Sequence, residues 1–250
     1  VSWRRPGTRG AILYAVLAAV GSAAVASVAR TESTRRAIRR GVTQPLPDGP
    51  LIVISNHTSY ADGILLALAC RERGRAVRLL ATGGVFRTPL LGSVVRTLGF
   101  IPVARGTNTA AASLDAAAEA LAAGEAVGLF PEGRITRDAA KWPERAKTGA
   151  VRLALRTGAP IIPLAMDGAH EIIGDRAHLV RILRNLVLPP EVRTLVGPVV
   201  SVQELVAARG GVADEATIRA VADDVMTVLI DLVEELRGQV ADHQAGVPRE

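Results

Sequence analysis

The chain has 250 residues, 49% of them hydrophobic, enough for one domain of ordinary to large size to bury a substantial core without disulfides or metal. Its single cysteine, Cys70, excludes an intramolecular disulfide, and the apolar run before it (Leu66-Ala67-Leu68-Ala69) predicts a small buried side chain, compatible with a reducing compartment. A formal charge of +6 predicts an anionic partner, and aromatics at 3% without the motifs of nucleic-acid readers leave an anionic lipid surface or a phosphorylated substrate rather than DNA or RNA.

In chain order, the first feature is the charge-free run from Ala11 to Ala29. At about 1.5 Å rise per residue it is just long enough to cross a hydrocarbon core. Its composition is mostly Ala, Gly and Ser, while Leu13, Val16, Leu17, Val20 and Val28 recur at helical spacing, so it reads as an interfacial helix rather than a span. Arginines flank both ends (Arg4, Arg5 and Arg9; Arg30, Arg35, Arg36, Arg39 and Arg40), which suits both ends lying at one anionic leaflet. A signal peptide and a helix packed on the domain are the competing readings. The expected organisation is a membrane-association segment over 1–43, a single domain over 44–240 and a polar, frayed tail over 241–250.

After the turn-rich stretch Gln44–Pro50, short apolar runs at Leu51–Ser55, Val77–Ala81, Phe100–Ala104, Ala126–Phe130 and Ile161–Ala165 predict buried strands. Helices are predicted over Ala110–Ala123, ending at Gly124, and Thr148–Thr157, ending at Gly158. The apolar runs Leu179–Leu188 and Val192–Val200 are read as strands at an edge. Asp214–Arg237 carries Ile218, Val221, Val225, Leu229, Leu232 and Leu236 along one helical face, which is expected to pack on the sheet. The alternation predicts an α/β fold, a layered mixed sheet flanked by helices.

Candidate chemistry starts at Ser55-Asn56-His57-Thr58-Ser59-Tyr60-Ala61-Asp62-Gly63, where a buried strand gives way to a helix. Ends of such strands are where α/β folds build sites. On one continuous helix a His and an Asp five residues apart would point about 140° apart, so they meet only if His57 lies in the turn and Asp62 in the first helical turn. Asp62 would then accept from Nδ1–H and leave Nε2 to take a proton from a hydroxyl. The plainer reading is a helix-capping Asp beside a surface His. A second strand end, Gly128–Arg137, presents Glu132, Gly133 and Arg134, residue types that suit a phosphate- or hydroxyl-bearing ligand: arginine grips phosphate, glycine admits close approach, and glutamate orients a hydroxyl or holds the arginine. Gly99–Arg105 puts Arg105 at a third.

His57-x4-Asp62, Gly99-x5-Arg105, Phe130-Pro131-Glu132-Gly133 and the later run Pro160-Ile161-Ile162-Pro163-Leu164, in this order, resemble the four blocks of the glycerolipid acyltransferases of the lysophosphatidic acid acyltransferase (PlsC-type) family. The resemblance covers roughly Pro50 to Val200, and the Lys147-Thr148-Gly149-Ala150 segment and the Val199–Leu205 passage also look like family features. It implies transfer of a fatty acyl group from acyl-CoA or acyl-carrier protein, as co-substrate and with no cofactor or metal, to the hydroxyl of a lysophospholipid, foremost 1-acylglycerol-3-phosphate. His57 would be the base, Asp62 its orienting partner, and Arg105, Glu132, Gly133 and Arg134 the binders of the acceptor's head group. Backbone N–H groups near these turns are expected to stabilise the oxyanion. The expected setting is the cytoplasmic face of the cell membrane, peripheral or monotopic, with membrane lipids as partners.

Two departures bear on the acceptor. The third block commonly reads Glu-Gly-Thr-Arg, but here the arginine comes one position earlier, as in acyl-glycerophosphoethanolamine acyltransferases. The lysine that many members carry between the first two blocks is absent from Ala81-Thr82-Gly83-Gly84-Val85-Phe86. A catalytically silent lipid-binding protein is the alternative of a different class, and the presence of both His57 and Asp62 speaks against it. No Gly-x-Ser-x-Gly elbow supports a hydrolase, no phosphate loop a nucleotide enzyme, and no His/Cys cluster a metal site.

Overall fold

The computed structural model describes residues 8–31, 45–89, 91–103, 107–173 and 178–245. Its strands are β1 (Arg30–Thr31), β2 (Leu51–Ser55), β3 (Val77–Thr82), β4 (Ile101–Val103), β5 (Ala126–Leu129), β6 (Ile161–Asp167) and β7 (Glu191–Val196), in the sheet order β1-β7-β6-β2-β5-β3-β4. Six of them form the body of the sheet, and the two-residue β1 extends its β7 edge. β2, β3, β4, β5 and β6 run parallel; β7 pairs antiparallel with β6 and makes the sheet mixed.

The central strand shows why the fold has three layers. All five residues of β2 are buried, as expected of a parallel strand covered on both faces. Leu51 and Val53 point into one core with Leu65, Leu66, Ala69 and Cys70 of α2 (Asp62–Glu72). Ile52 and Ile54 point into the other, with α5 (Thr107–Ala122), α6 (Gly149–Thr157), α9 (Val202–Ala207) and α10 (Glu215–Ala245). Cys70 is fully buried and its thiol is pushed up to about 12 by that burial, so it packs and does not react. The six apolar residues predicted along Asp214–Arg237 are all buried in the second core. Asp214 caps α10 by accepting from Thr217 N at 2.8 Å. α6 ends at Gly158 in the left-handed conformation, as its sequence predicts.

Two expectations need correction. Leu179–Leu188 is not an edge strand but α8 (His178–Val187). Its apolar residues recur as Leu183, Leu186 and Val187, a spacing of three and four, while Asn185 turns inward to donate to Glu171 O at 2.9 Å. The last helix runs on to Ala245, so the first half of the predicted tail is helical. The stretch after β3 forms two short helices, α3 (Gly83–Arg87) and α4 (Leu91–Thr97), which the apolar pattern did not announce. One tight junction fixes the mixed edge: Gly168, at φ +83, precedes α7 (Ala169–Ile172), and a Cβ there would come within 2.1 Å of Glu191 O.

The charge-free N-terminal run forms α1 (Thr8–Val28), and Val25 and Ala29 join the α2-side core. Among the described residues no helix is long and apolar enough to cross a membrane.

Candidate active site

The site is assembled where β2 and β5, neighbours in the sheet, both end. Beyond β2 the chain is pinned to β6: Ser55 Oγ donates to Leu164 O at 2.6 Å, and the Asn56 amide exchanges two 2.8 Å bonds with the backbone of Met166. His57 follows in the turn, and Asp62 is the first residue of α2, the geometry that a five-residue separation requires.

Asp62 is fully buried, and its Oδ2 accepts three bonds: from His57 Nδ1 at 2.9 Å, Thr58 N at 2.5 Å and Ser59 N at 2.7 Å. An ionised carboxylate only accepts, so the imidazole proton sits on Nδ1 and Nε2 is the free lone pair. Nε2 has no hydrogen-bond partner among the described residues. The backbone of the same turn is closed by Ser59 O, which accepts from Asp62 N at 3.2 Å, while α2 begins after Ala61 with no side-chain cap. One carboxylate therefore orients the histidine and holds the Thr58–Ser59 turn.

Glu132 closes the other side. It is buried, its Oε1 accepts from His57 N at 2.9 Å, and its Oε2 accepts from Glu144 N at 2.9 Å. His57 O in turn accepts from Thr136 N at 2.7 Å. The backbone of the histidine is therefore gripped from both sides by the turn that follows β5. Burial pushes the Glu132 carboxyl up to about 7, against the two backbone N–H groups and the nearby His57, which favour its charge. With both oxygens on main-chain donors, Glu132 braces the site and does not hold Arg134.

Glu144 takes that task. Its Oε2 accepts from Arg134 Nε at 3.0 Å and Nη2 at 2.6 Å, and its Oε1 from Arg137 N at 3.2 Å. Arg134 holds the Glu144 carboxyl below the usual carboxylate range. The Arg134 side chain remains about half exposed. Gly133 sits between Glu132 and Arg134 at φ +70, a left-handed turn residue. Arg105, the remaining predicted binder, lies outside the described residues.

Several contributors were not read from the sequence as site residues. The Phe130 ring stacks on His57, with centroids 4.1 Å apart and planes 17° from parallel, which limits ring rotation and covers one imidazole face. Phe130 belongs to the third block, but nothing in its spacing ties it to residue 57. Asn56 acts across 110 positions, Thr136 grips His57 from the turn after β5, and Glu144 acts across 7 to 12, and only the fold brings them together. Among the described residues, no group of three or more His, Cys, Asp or Glu side chains could hold a metal ion.

The chain was compared with known proteins. A model of the Acyltransferase family matches residues 31–167. The chloroplast 1-acyl-sn-glycerol-3-phosphate acyltransferase of Brassica napus is 30% identical over 131 residues, covering 52% of this chain and 36% of that protein. The N-acylphosphatidylethanolamine synthase of Arabidopsis thaliana is 30% identical over 155 residues, covering 59% of this chain and 54% of that protein. This chain thus spans between about a third and a half of the length of these two relatives. The crystal structure of the 1-acyl-sn-glycerophosphate acyltransferase PlsC from Thermotoga maritima superposes with a TM-score of 0.62, at 22% identity, over 90% of this chain and 80% of that one, and shows the shared fold. A family model that matches more than half of the sequence, and contains both the His57–Asp62 turn and the Glu132 turn that grips it, makes this chain a member of the Acyltransferase family.

Proposed function

We propose that the protein transfers a fatty acyl group from an acyl thioester, acyl-CoA or acyl-carrier protein, to the hydroxyl of a lysophospholipid at a membrane surface. The observation that carries this reading is the His57–Asp62 pair, whose geometry leaves Nε2 alone as a proton acceptor. Nε2 removes the proton of the acceptor hydroxyl, and the oxygen attacks the thioester carbonyl carbon. The tetrahedral intermediate collapses with cleavage of the C–S bond, and the imidazolium returns the proton to the departing sulfur. No covalent enzyme intermediate, cofactor or metal is required. Asp62 stabilises the imidazolium while it exists, and the Phe130 stack and the Glu132 brace keep the ring in place.

The relatives' names support a polar lipid acceptor, and 1-acylglycerol-3-phosphate is the first candidate. The absence of lysine from the Ala81–Phe86 stretch and the likeness to an N-acylphosphatidylethanolamine synthase keep other polar lipids as the second. Membrane attachment is supported by the surface. Among the described residues, every exposed large apolar side chain except Val199 and Val212 lies on α1, on α2 and the turn before it, on α4, or on α8 and the residue after it. α1 packs against α2, α4 and α8, so the helices that carry these residues are neighbours, with Ile64 two positions beyond Asp62. The expected location is the cytoplasmic face of the cell membrane, where acyl thioesters are found.

The test is free-thiol release from long-chain acyl-CoA and acyl-carrier protein with vesicles present, over lysophosphatidic acid, other lysophospholipids, glycerol 3-phosphate and glycolipid acceptors. Acceptor-dependent release is expected, fastest with a lysophospholipid. Silence with every acceptor and both donors would refute acyl transfer and favour a lipid-binding protein.

A further inference from the structure

Asp62 uses its two carboxylate oxygens unequally. Oδ2 accepts from His57 Nδ1, Thr58 N and Ser59 N, while Oδ1, also buried, has no hydrogen-bond partner among the described residues. An ionised carboxylate offers lone pairs on both oxygens, and a buried charged acceptor left unmet is unfavourable. The torsion that turns the carboxylate plane is broad, so the plane is set firmly against the imidazole only when the second oxygen is held too.

A matching donor stands in the same turn. Thr58 is buried, and its Oγ1 is the other buried side-chain oxygen of this turn without a hydrogen-bond partner among the described residues. Its own backbone N lies 2.5 Å from Asp62 Oδ2, which puts the hydroxyl beside the same carboxylate. The other hydroxyl and amide side chains buried around the histidine are committed elsewhere: Ser55 Oγ to Leu164 O, Asn56 to the backbone of Met166, Ser59 Oγ to Ile173 O and Thr136 Oγ1 to Trp142 O. Branching at Cβ restricts the Thr58 side chain and holds its hydroxyl in place.

We propose that Thr58 is a positioning residue for the His57–Asp62 pair: its hydroxyl donates to one buried water, which donates in turn to Asp62 Oδ1 and fixes the carboxylate plane against the imidazole. The hydroxyl and Oδ1 do not bond each other directly, and a donor and an acceptor that share a buried turn are the partners such a water requires. The inference rests on the proposed reaction for its kinetic consequence and on the His57–Asp62 geometry alone for its structural one.

The test compares the full chain with Thr58→Val, which keeps the shape and loses the hydroxyl, with Thr58→Ala as a second hydroxyl-free variant, and with Thr58→Ser, which keeps the hydroxyl. Thermal unfolding establishes which variants are folded. The first readout is the low-field proton resonance of the His57 Nδ1–H bond to Asp62, identified by its loss in His57→Ala. Wild type and Thr58→Ser are expected to share its position and its slow exchange with water. In the hydroxyl-free variants it shifts and exchanges roughly tenfold faster, as the loss of one buried hydrogen bond implies. The second readout is thiol release with the best acceptor. There kcat falls on the order of tenfold in the hydroxyl-free variants while KM stays within about twofold, and Thr58→Ser recovers most of the rate. A resonance or, in an active protein, a kcat that both hydroxyl-free variants leave unchanged overturns the proposal, as does Thr58→Ser impaired as much as Thr58→Val. Because the resonance needs no turnover, the two readings fail separately. An unchanged resonance beside active acyl transfer sinks the anchor alone, and a resonance that follows the hydroxyl in a protein that acylates no acceptor sinks the reaction alone.

Discussion

Glu132 holds a carboxyl away from water with both oxygens on main-chain donors, and an amide can reproduce only one of those two bonds. Glu132→Gln keeps the shape but turns an NH2 toward either His57 N or Glu144 N, so one donor faces a donor. The expected effect is a fall in kcat of roughly 10- to 100-fold with little change in KM, from the loss of about 1–3 kcal/mol of positioning. The charge has a second signature. Burial raises Glu132 from the ordinary 4.5 to about 7, so the folded protein binds its proton more tightly than the unfolded chain does. Its contribution to stability is therefore complete below about pH 4.5 and is lost as the pH rises through about 7. Urea midpoints at pH 5 and pH 7.5 check this: wild type should lose stability relative to Glu132→Gln as the pH rises, and a constant difference would contradict it. At this scale His57 and Asp62 were legible because one short segment contains both, and a strand-to-helix junction leaves few ways to arrange them. The stacked Phe130 and the clamp of Glu132 and Thr136 on the His57 backbone were not, because the bonds join residues that only the pairing of β2 with β5 brings together.

α8 is the element on which the sequence misled, and it is also the one with an unexplained surface. Its inner side is settled by Asn185 on Glu171 O and by Arg181 Nη1 on His170 O at 2.8 Å. Its outer side shows Leu183, Leu186 and Val187 to solvent with Arg184 among them, and Leu188 follows directly. An apolar outer face with a basic residue suits the boundary between lipid head groups and acyl chains, and α1, with Val16 and Val20 exposed, packs alongside. Leu186→Asp with Val187→Asp is expected to weaken cosedimentation with anionic vesicles by about tenfold, since burying two aliphatic side chains is worth at least that much. Turnover of a short-chain, water-soluble acceptor should be unchanged, and full vesicle binding by the double variant would exclude α8 from the docking face. Runs of mixed apolar and polar residues such as 179–188 are hard to assign from local pattern alone, because strand and helix are decided by which neighbour covers them. β2 and β5 escaped that ambiguity by being short, apolar throughout and bounded by turns.

At the scale of the whole molecule, two cores on opposite faces of one sheet hold the parallel strand ends in register, and the site needs that register to within a hydrogen bond. α10 contributes from a distance. Arg237 bonds Asp167 Oδ1 at 3.1 Å and Lys141 O at 3.2 Å and lies over the Trp142 ring, while Arg219 bonds Ala146 O at 2.7 Å. The C-terminal helix thereby secures the loop that delivers Glu144 to the site. The class of the fold and the layering were legible from alternating apolar runs and helical faces. The edge strand at β7 and the mixed sheet were legible too, but the antiparallel register of β7 on β6 and the closure of the 138–147 loop were not, since each depends on long-range contacts with no local sequence signature. The measurement that bears most directly on the central claim is thiol release from acyl-CoA by wild type and His57→Ala, with vesicles and the best acceptor present and folding of the variant checked by its thermal unfolding. The account predicts that the variant stays folded and membrane-bound while turnover falls by roughly 100- to 10,000-fold, the range for loss of a general base. Turnover within a few-fold of wild type would contradict it.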